Sequence, residues 1–201
     1  MLTNQAKQLS SYFISKAIIP GCDRDKYDYC FEILLSTFLN LFILVALGIL
    51  LHRIVETLVF IVCFMAMRGS SGGFHAKTHT KCILLLLSTY VVFIILANYL
   101  PPEMKQWGGE TMITISLFLF YLIPPNPDAN NPADPEKMRH LKIKSKFFIS
   151  VLFIIFNGLL FIESSARLAF PVAFSSFMVA VSVMTGTIKN IEGGAKNEED
   201  T

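Results

Sequence analysis

The stretch Phe31–Leu51 reads FEILLSTFLNLFILVALGILL, with Glu32 near its start and Asn40 as the one strongly polar residue of its interior. About 20 apolar residues in helical form cross a hydrocarbon core of roughly 30 Å, and a helix satisfies every backbone polar group within its own segment. This stretch therefore reads as a transmembrane helix. Similar runs follow at Ile54–Met67, Cys82–Leu100, Thr111–Ile123, Phe147–Ile162 and Leu168–Ile188. The second and fourth are short for a span. The second reaches both interfaces if Glu56 and Arg68 snorkel, and the fourth if it extends back toward Trp107, whose ring suits the headgroup level.

Composition agrees with a polytopic membrane protein. Of 201 residues, 53% are hydrophobic and 18 are Phe, and the mean hydropathy is +0.55. An ordinary soluble domain is less apolar than this. The expected fold is an all-α membrane helical bundle: one domain of about six membrane helices, with an N-terminal amphipathic helix on the membrane surface. That first helix is read over Leu2–Ile18, where Leu2, Ala6, Leu9, Phe13 and Ala17 recur at helical spacing. No small-residue cleavage site follows a short apolar region, so no removable signal peptide is expected. The tail after Lys189, residues 189–201, is polar, ends in Glu198-Glu199-Asp200 and reads as disordered.

Charge sets the expected orientation. The formal net charge of +2 is too small, and the basic residues too little interleaved with aromatic ones, to point to nucleic acid. Lys7, Lys16, Arg24 and Lys26, then Arg68, Lys77 and Lys81, then the Lys137–Lys146 cluster fall on one side of a six-span topology. The opposite loops hold only Arg53, Lys105 and Arg167. By the positive-inside bias the first side is cytoplasmic. The polar insertion over residues 124–146 is Pro-rich in its first half and basic in its second, and it reads as a cytoplasmic loop.

The chemistry-bearing stretch on that side is Arg68–Cys82, RGSSGGFHAKTHTKC, a glycine-rich break between two apolar runs with two of the four histidines and one of the four cysteines. Cys22, Cys30, Cys63 and Cys82 form no CxxC pair, so neither a disulfide framework nor a zinc-finger spacing is indicated. Cys63, inside an apolar run, reads as a packing residue. Cys22 and Cys30 flank the first span, where a reactive or lipidated thiol would fit. Cys82 begins an apolar helix among cations, and both a helix N-terminus and nearby positive charge favour a thiolate. A cysteine nucleophile needs a base in hydrogen-bond reach. On a continuous helix His79 is adjacent to Cys82, whereas His75 lies about two turns, or roughly 10 Å, away. His75 reaches the thiol only if the glycine-rich segment folds back. Gly72 and Gly73 permit such a turn, and their amides could serve as oxyanion donors. Taken together, His75, His79 and Cys82 would also lie on one helical face and could hold zinc. Lys77, in the place of the Glu of an HExxH helix, and the cation Lys81 count against that. No metal and no cofactor is expected.

Arg68, then Gly72-Gly73-Phe74-His75-Ala76, then Cys82, at the mouth of a membrane span, resembles the AgrB (accessory gene regulator B) family of bacterial membrane cysteine peptidases. The Pro-rich and then basic stretch between later spans resembles that family as well. The resemblance implies a multi-pass protein of the bacterial cell membrane whose cytoplasm-facing site cleaves the C-terminal tail from an AgrD-like precursor. It implies closure of a thiolactone or lactone autoinducing peptide for quorum sensing. It also implies Cys82 as nucleophile, His75 as its partner and Arg68 as an accessory residue, with His79 left to a substrate-side or structural role. Where the family often has a second basic residue after Arg68, this chain has Gly69.

An acidic precursor tail would meet Lys142, Lys144 and Lys146, although topology and lipid contact explain that cluster equally. The expected partners are an AgrD-like precursor peptide and membrane lipid, with a homodimer left open. The competing reading is a small transporter or exporter subunit without proteolytic activity. It would need intramembrane charges lining a path, and the span interiors offer chiefly Asn40 and Asn157.

Overall fold

The computed structural model describes residues 2–16, 24–71, 79–123 and 135–199. Among them are seven α-helices and no strand: α1 Leu2–Ser15, α2 Arg24–Leu50, α3 Ile54–Ser71, α4 His79–Tyr99, α5 Pro102–Leu122, α6 Pro135–Phe161 and α7 Ala169–Glu199, with a 3-10 turn Glu163–Leu168 before α7. Four stretches are long and apolar enough to cross a membrane: Tyr27–Leu50, Ile54–Ser71, Met138–Phe161 and Ala166–Ile188. Of the other helices, α1 is short and α4 and α5 are each 21 residues long, about 31 Å. The apolar part of α4 is Leu84–Tyr99, and α5 carries Glu103, Lys105 and Glu110 in its first half.

Helix ends follow local chemistry. Pro101 is the N-cap of α5 and Pro102 its first residue, where a missing N–H costs nothing. Pro135 opens α6 and Pro171 sits in the first turn of α7 for the same reason. Between α2 and α3 the chain reverses in three residues. His52 takes a left-handed conformation (φ 54°), Arg53 N–H donates to Gly48 C=O at 2.8 Å and His52 N–H to Ile49 C=O at 3.1 Å. This is a Schellman ending with histidine where glycine is usual. Arg53 C=O then accepts both the Thr57 N–H (3.0 Å) and the Thr57 hydroxyl (2.7 Å), which starts α3.

Inside a bilayer, lipid tails are as apolar as leucine, so helices associate through close packing and internal hydrogen bonds. α7 is the centre of that packing, and every residue from Ala169 to Ser176 is buried. Ala169, Val172, Ala173, Val179 and Ala180 of α7 pack with Cys63 and Met67 of α3, Ile113 and Phe120 of α5, and Ile149, Leu152 and Phe156 of α6. A second cluster joins α2, α3, α4 and α7 through stacked and tilted rings. Phe60 lies 5.1 Å from Phe93, Phe93 lies 6.1 Å from Phe170, and Tyr90 lies 5.8 Å from Phe60. Each such pair contributes roughly 0.5–1.5 kcal/mol beyond the area it covers.

Most buried hydroxyls among the described residues bond back to their own helices, as Ser175 and Ser176 do to Val172 C=O, while Ser36 Oγ on α2 is buried without a partner. Thr57 links two helices of the core, its hydroxyl meeting the Tyr90 hydroxyl of α4 at 2.7 Å.

Three sequence expectations change. First, the basic segment is not a loop: residues 135–146 are the first turns of α6, while 124–134 lie outside the described residues. Met138, Leu141, Ser145 and Phe148 line the inner side of those turns, a helical period that the high lysine content obscures. Second, the helical backbone of α7 continues through the expected tail to Glu199, because no proline after Pro171 interrupts its hydrogen-bond ladder. Third, the apolar stripe of α1 divides. Ala6 and Ser10 are buried and Phe13 stacks on Phe31 of α2 at 5.4 Å, while Leu9 and Tyr12 stay exposed. Ser10 Oγ hydrogen-bonds the Asp28 carboxylate, and the Arg24 guanidinium donates to Ser11 Oγ at 2.8 Å.

Candidate active site

The motif Arg68–Cys82 begins on the last turn of α3 and ends on the first turn of α4. Its α3 part is held firmly. Met67 is fully buried in the α3–α5–α6–α7 core, and Ser70 and Ser71 are fully buried with both hydroxyls donating to Met67 C=O at 2.9 and 2.8 Å. Arg68, half-buried, turns toward α7 and donates to Ser182 Oγ at 2.8 Å. Gly69 is exposed, and a Cβ added there meets nothing within 4 Å, so packing does not demand glycine at that position.

The backbone of His79 and Cys82 forms the first turn of α4, with Cys82 as its fourth residue. The first four N–H groups of a helix lack intrahelical partners and carry partial positive charge, which can stabilise a thiolate or an oxyanion placed before them. Gly72, Gly73 and His75 lie outside the described residues, as do the side chains of His79 and Cys82. The structure thus describes a packed platform on one side of the motif and a helix start on the other.

Helical geometry redistributes the basic residues of α6. At about 100° per residue, Arg139, Lys142 and Lys146 share one face, and Lys144 lies roughly 160° from both lysines. Lys142 and Lys144 are exposed, whereas Lys146 is half-buried with its ammonium 4.7 Å from the centre of the Tyr121 ring on α5. The three lysines expected to act together therefore present two surfaces. Elsewhere, Cys63 is buried in the bundle core and Cys30 is exposed on α2, while Cys22 lies outside the described residues.

Ser182 was not singled out by sequence, since a serine in an apolar run usually bonds its own helix and carries no signal of a distant arginine. Also unanticipated is a polar cluster at the opposite end of α3, about 22 Å along the helix from Arg68. There Glu56, buried, pairs with Arg53 at 3.4 Å, and the same guanidinium donates to Asn98 Oδ1 at 3.1 Å. The sequence reading sends Glu56 toward water. Its ion pair keeps it inside instead.

Comparison with known proteins gives a consistent picture. The accessory gene regulator B profile matches residues 6–188. Protein FsrB of Enterococcus faecalis is 25% identical over 126 residues, 63% of this chain and 52% of the relative. A protein of Lactiplantibacillus plantarum described as AgrB-like is 26% identical over 136 residues, 67% of this chain and 65% of the relative. The matched segments thus span about half and just under two thirds of those relatives. No solved structure matches the chain.

Proposed function

We propose, from the premise that the chain belongs to the accessory gene regulator B family, that it processes a quorum-sensing peptide precursor as a membrane cysteine endopeptidase. The observation that carries this reading is the motif itself. A cysteine within the first turn of an apolar helix and a histidine seven residues earlier follow a glycine pair and an arginine held on the packed end of α3.

In the proposed reaction the Cys82 thiolate attacks the carbonyl carbon that precedes the acidic tail of an AgrD-like precursor. A C–S bond forms, the C–N bond breaks, and His75 gives its proton to the departing amine. The upstream peptide remains as a thioester on Cys82. A thiol or hydroxyl of the precursor then attacks the same carbonyl and gives its proton to the now neutral His75, the C–S bond to Cys82 breaks to return the thiolate, and a thiolactone or lactone ring closes. The unpaired N–H groups at the start of α4, with Gly72 and Gly73, are the proposed oxyanion donors. Arg68 is the proposed accessory cation, oriented by Ser182, and His79 borders the site on the substrate side. On the positive-inside argument the site faces the cytoplasm, where Arg139, Lys142 and Lys146 offer one basic face to an acidic tail.

Co-expression with an AgrD-like precursor, followed by mass analysis of the peptide products, tests the reading. Cleavage is expected to vanish in Cys82→Ala and His75→Ala and to persist at a reduced level in His79→Ala. Undiminished cleavage in Cys82→Ala would sink the mechanism. Loss in His79→Ala with retention in His75→Ala would transfer the base to His79.

A further inference from the structure

Arg53 from the α2–α3 turn, Lys105 from the first turn of α5 and Arg167 from the 3-10 segment before α7 line one cavity of about 220 Å³ at the end of the bundle remote from Arg68. These are the three basic residues of the loops that the positive-inside bias leaves poor in cations, so topology does not account for them. Among the described residues Glu56 is the one carboxylate in the lining, and Arg53 engages it. Among the described residues neither Lys105 nor Arg167 has an ion-pair partner, so the cavity keeps an excess of positive charge. Its floor is apolar, built from Phe93, Phe156 and Phe170. The helices that contribute Ala97 and Gln106 to the lining also carry two exposed aromatic residues, Tyr99 at the end of α4 and Trp107 on α5, 84% and 71% exposed. Such residues settle at the level of lipid headgroups.

We infer that this cavity binds the phosphodiester headgroup of an acidic phospholipid, its negative oxygens between Lys105, Arg167 and Arg53 and its glycerol end against the phenylalanine floor. A small soluble anion satisfies the cations but leaves the aromatic floor without a partner. A zwitterionic lipid brings its own cation into a cavity already positive. The acidic lipid matches charge, floor and depth together. Its binding would tie the α2–α3, α4–α5 and α6–α7 turns to one another, at the end of the bundle away from the proposed chemistry.

The test uses the full-length protein in detergent, titrated with phosphatidylglycerol or phosphatidylcholine and read by native mass spectrometry. The variant Lys105→Gln/Arg167→Gln leaves the Arg53–Glu56 pair intact. It should retain phosphatidylglycerol at least fivefold more weakly than the wild type, with phosphatidylcholine unchanged. Lys105→Arg should bind as the wild type does. The control Lys7→Gln, an exposed cation on α1 outside the cavity lining, should change neither. Equal phosphatidylglycerol retention in the double variant overturns the inference, and so does a loss confined to the control. Displacement of the lipid by inorganic phosphate at comparable concentration would identify a soluble-anion site and overturn the lipid assignment. If the double variant does not fold, the single variant Arg167→Gln, whose side chain is exposed, supplies the same comparison.

Discussion

The guanidinium of Arg68 donates to Ser182 Oγ at 2.8 Å, joining the last turn of α3 to α7 across 114 residues of chain. The first residue of the candidate catalytic motif is thereby oriented by a helix that shares none of the motif's sequence. A hydrogen bond to a charged group contributes roughly 1.5–3 kcal/mol. If that orientation serves catalysis, Ser182→Ala should lower precursor cleavage about tenfold without changing the amount of protein in the membrane. In an Arg68→Ala background the same substitution should have little further effect. Additive losses in the double variant, measured by initial cleavage rates in isolated membranes, would mean that Ser182 does not act through Arg68.

Glycine positions separate by what surrounds them. A Cβ at Gly48 would come 2.6 Å from Thr57 Oγ1, the hydroxyl that links Arg53 and Tyr90, and one at Gly69 meets nothing within 4 Å. Gly48→Ala should therefore force α2 and α3 apart and cost about 1–3 kcal/mol. Gly69→Ala should be neutral or stabilising by up to about 1 kcal/mol. Thermal unfolding of the purified variants in one detergent compares the two.

The split of the basic residues on α6 predicts unequal roles. Lys142→Gln/Lys146→Gln should slow cleavage of an acidic-tailed precursor several-fold and weaken its salt dependence. Lys144→Gln, on the other side of the helix, should leave both near wild type. Equal effects of all three single substitutions would favour a diffuse role in topology and lipid contact.

Lys105, on the part of α5 that precedes the apolar run, has its ammonium pushed below the ordinary value of 10.5, first by burial and then by the Arg53 guanidinium. The folded state thus sheds this proton at lower pH than the unfolded state does. In the window between the lowered value and 10.5 the unfolded chain binds more protons, so this group makes stability rise with pH. The difference in unfolding temperature between the wild type and Lys105→Met should shift in favour of the wild type across that alkaline window. A constant difference would remove the electrostatic account of Lys105. A bound anion in the neighbouring cavity should flatten the dependence, because it returns the pKa toward its ordinary value.

Much of this protein follows from local chemistry. The length and apolarity of Phe31–Leu51 set a membrane helix, since a bilayer accepts no unsatisfied backbone. Pro135 and Pro171 proved to stand in the first turns of α6 and α7, positions with no N–H to give, although Pro135 reads in sequence as part of a loop. The motif from Arg68 to Cys82 is legible as a chemical constellation from residue types and spacing alone.

Tertiary structure decided what those residues face. Ser182 could be matched to Arg68 only once α7 lay against α3. Lys144 parted from Lys142 and Lys146 only when residues 135–146 proved helical, because neighbours in sequence lie on different sides of a helix. Arg53, Lys105 and Arg167, far apart in sequence, became one cationic cavity because the segments that carry them meet at one end of the bundle. Sequence determines periodicity and termini, which depend on neighbours within a few residues. Convergence depends on packing between segments far apart in the chain, and only the assembled helices express it.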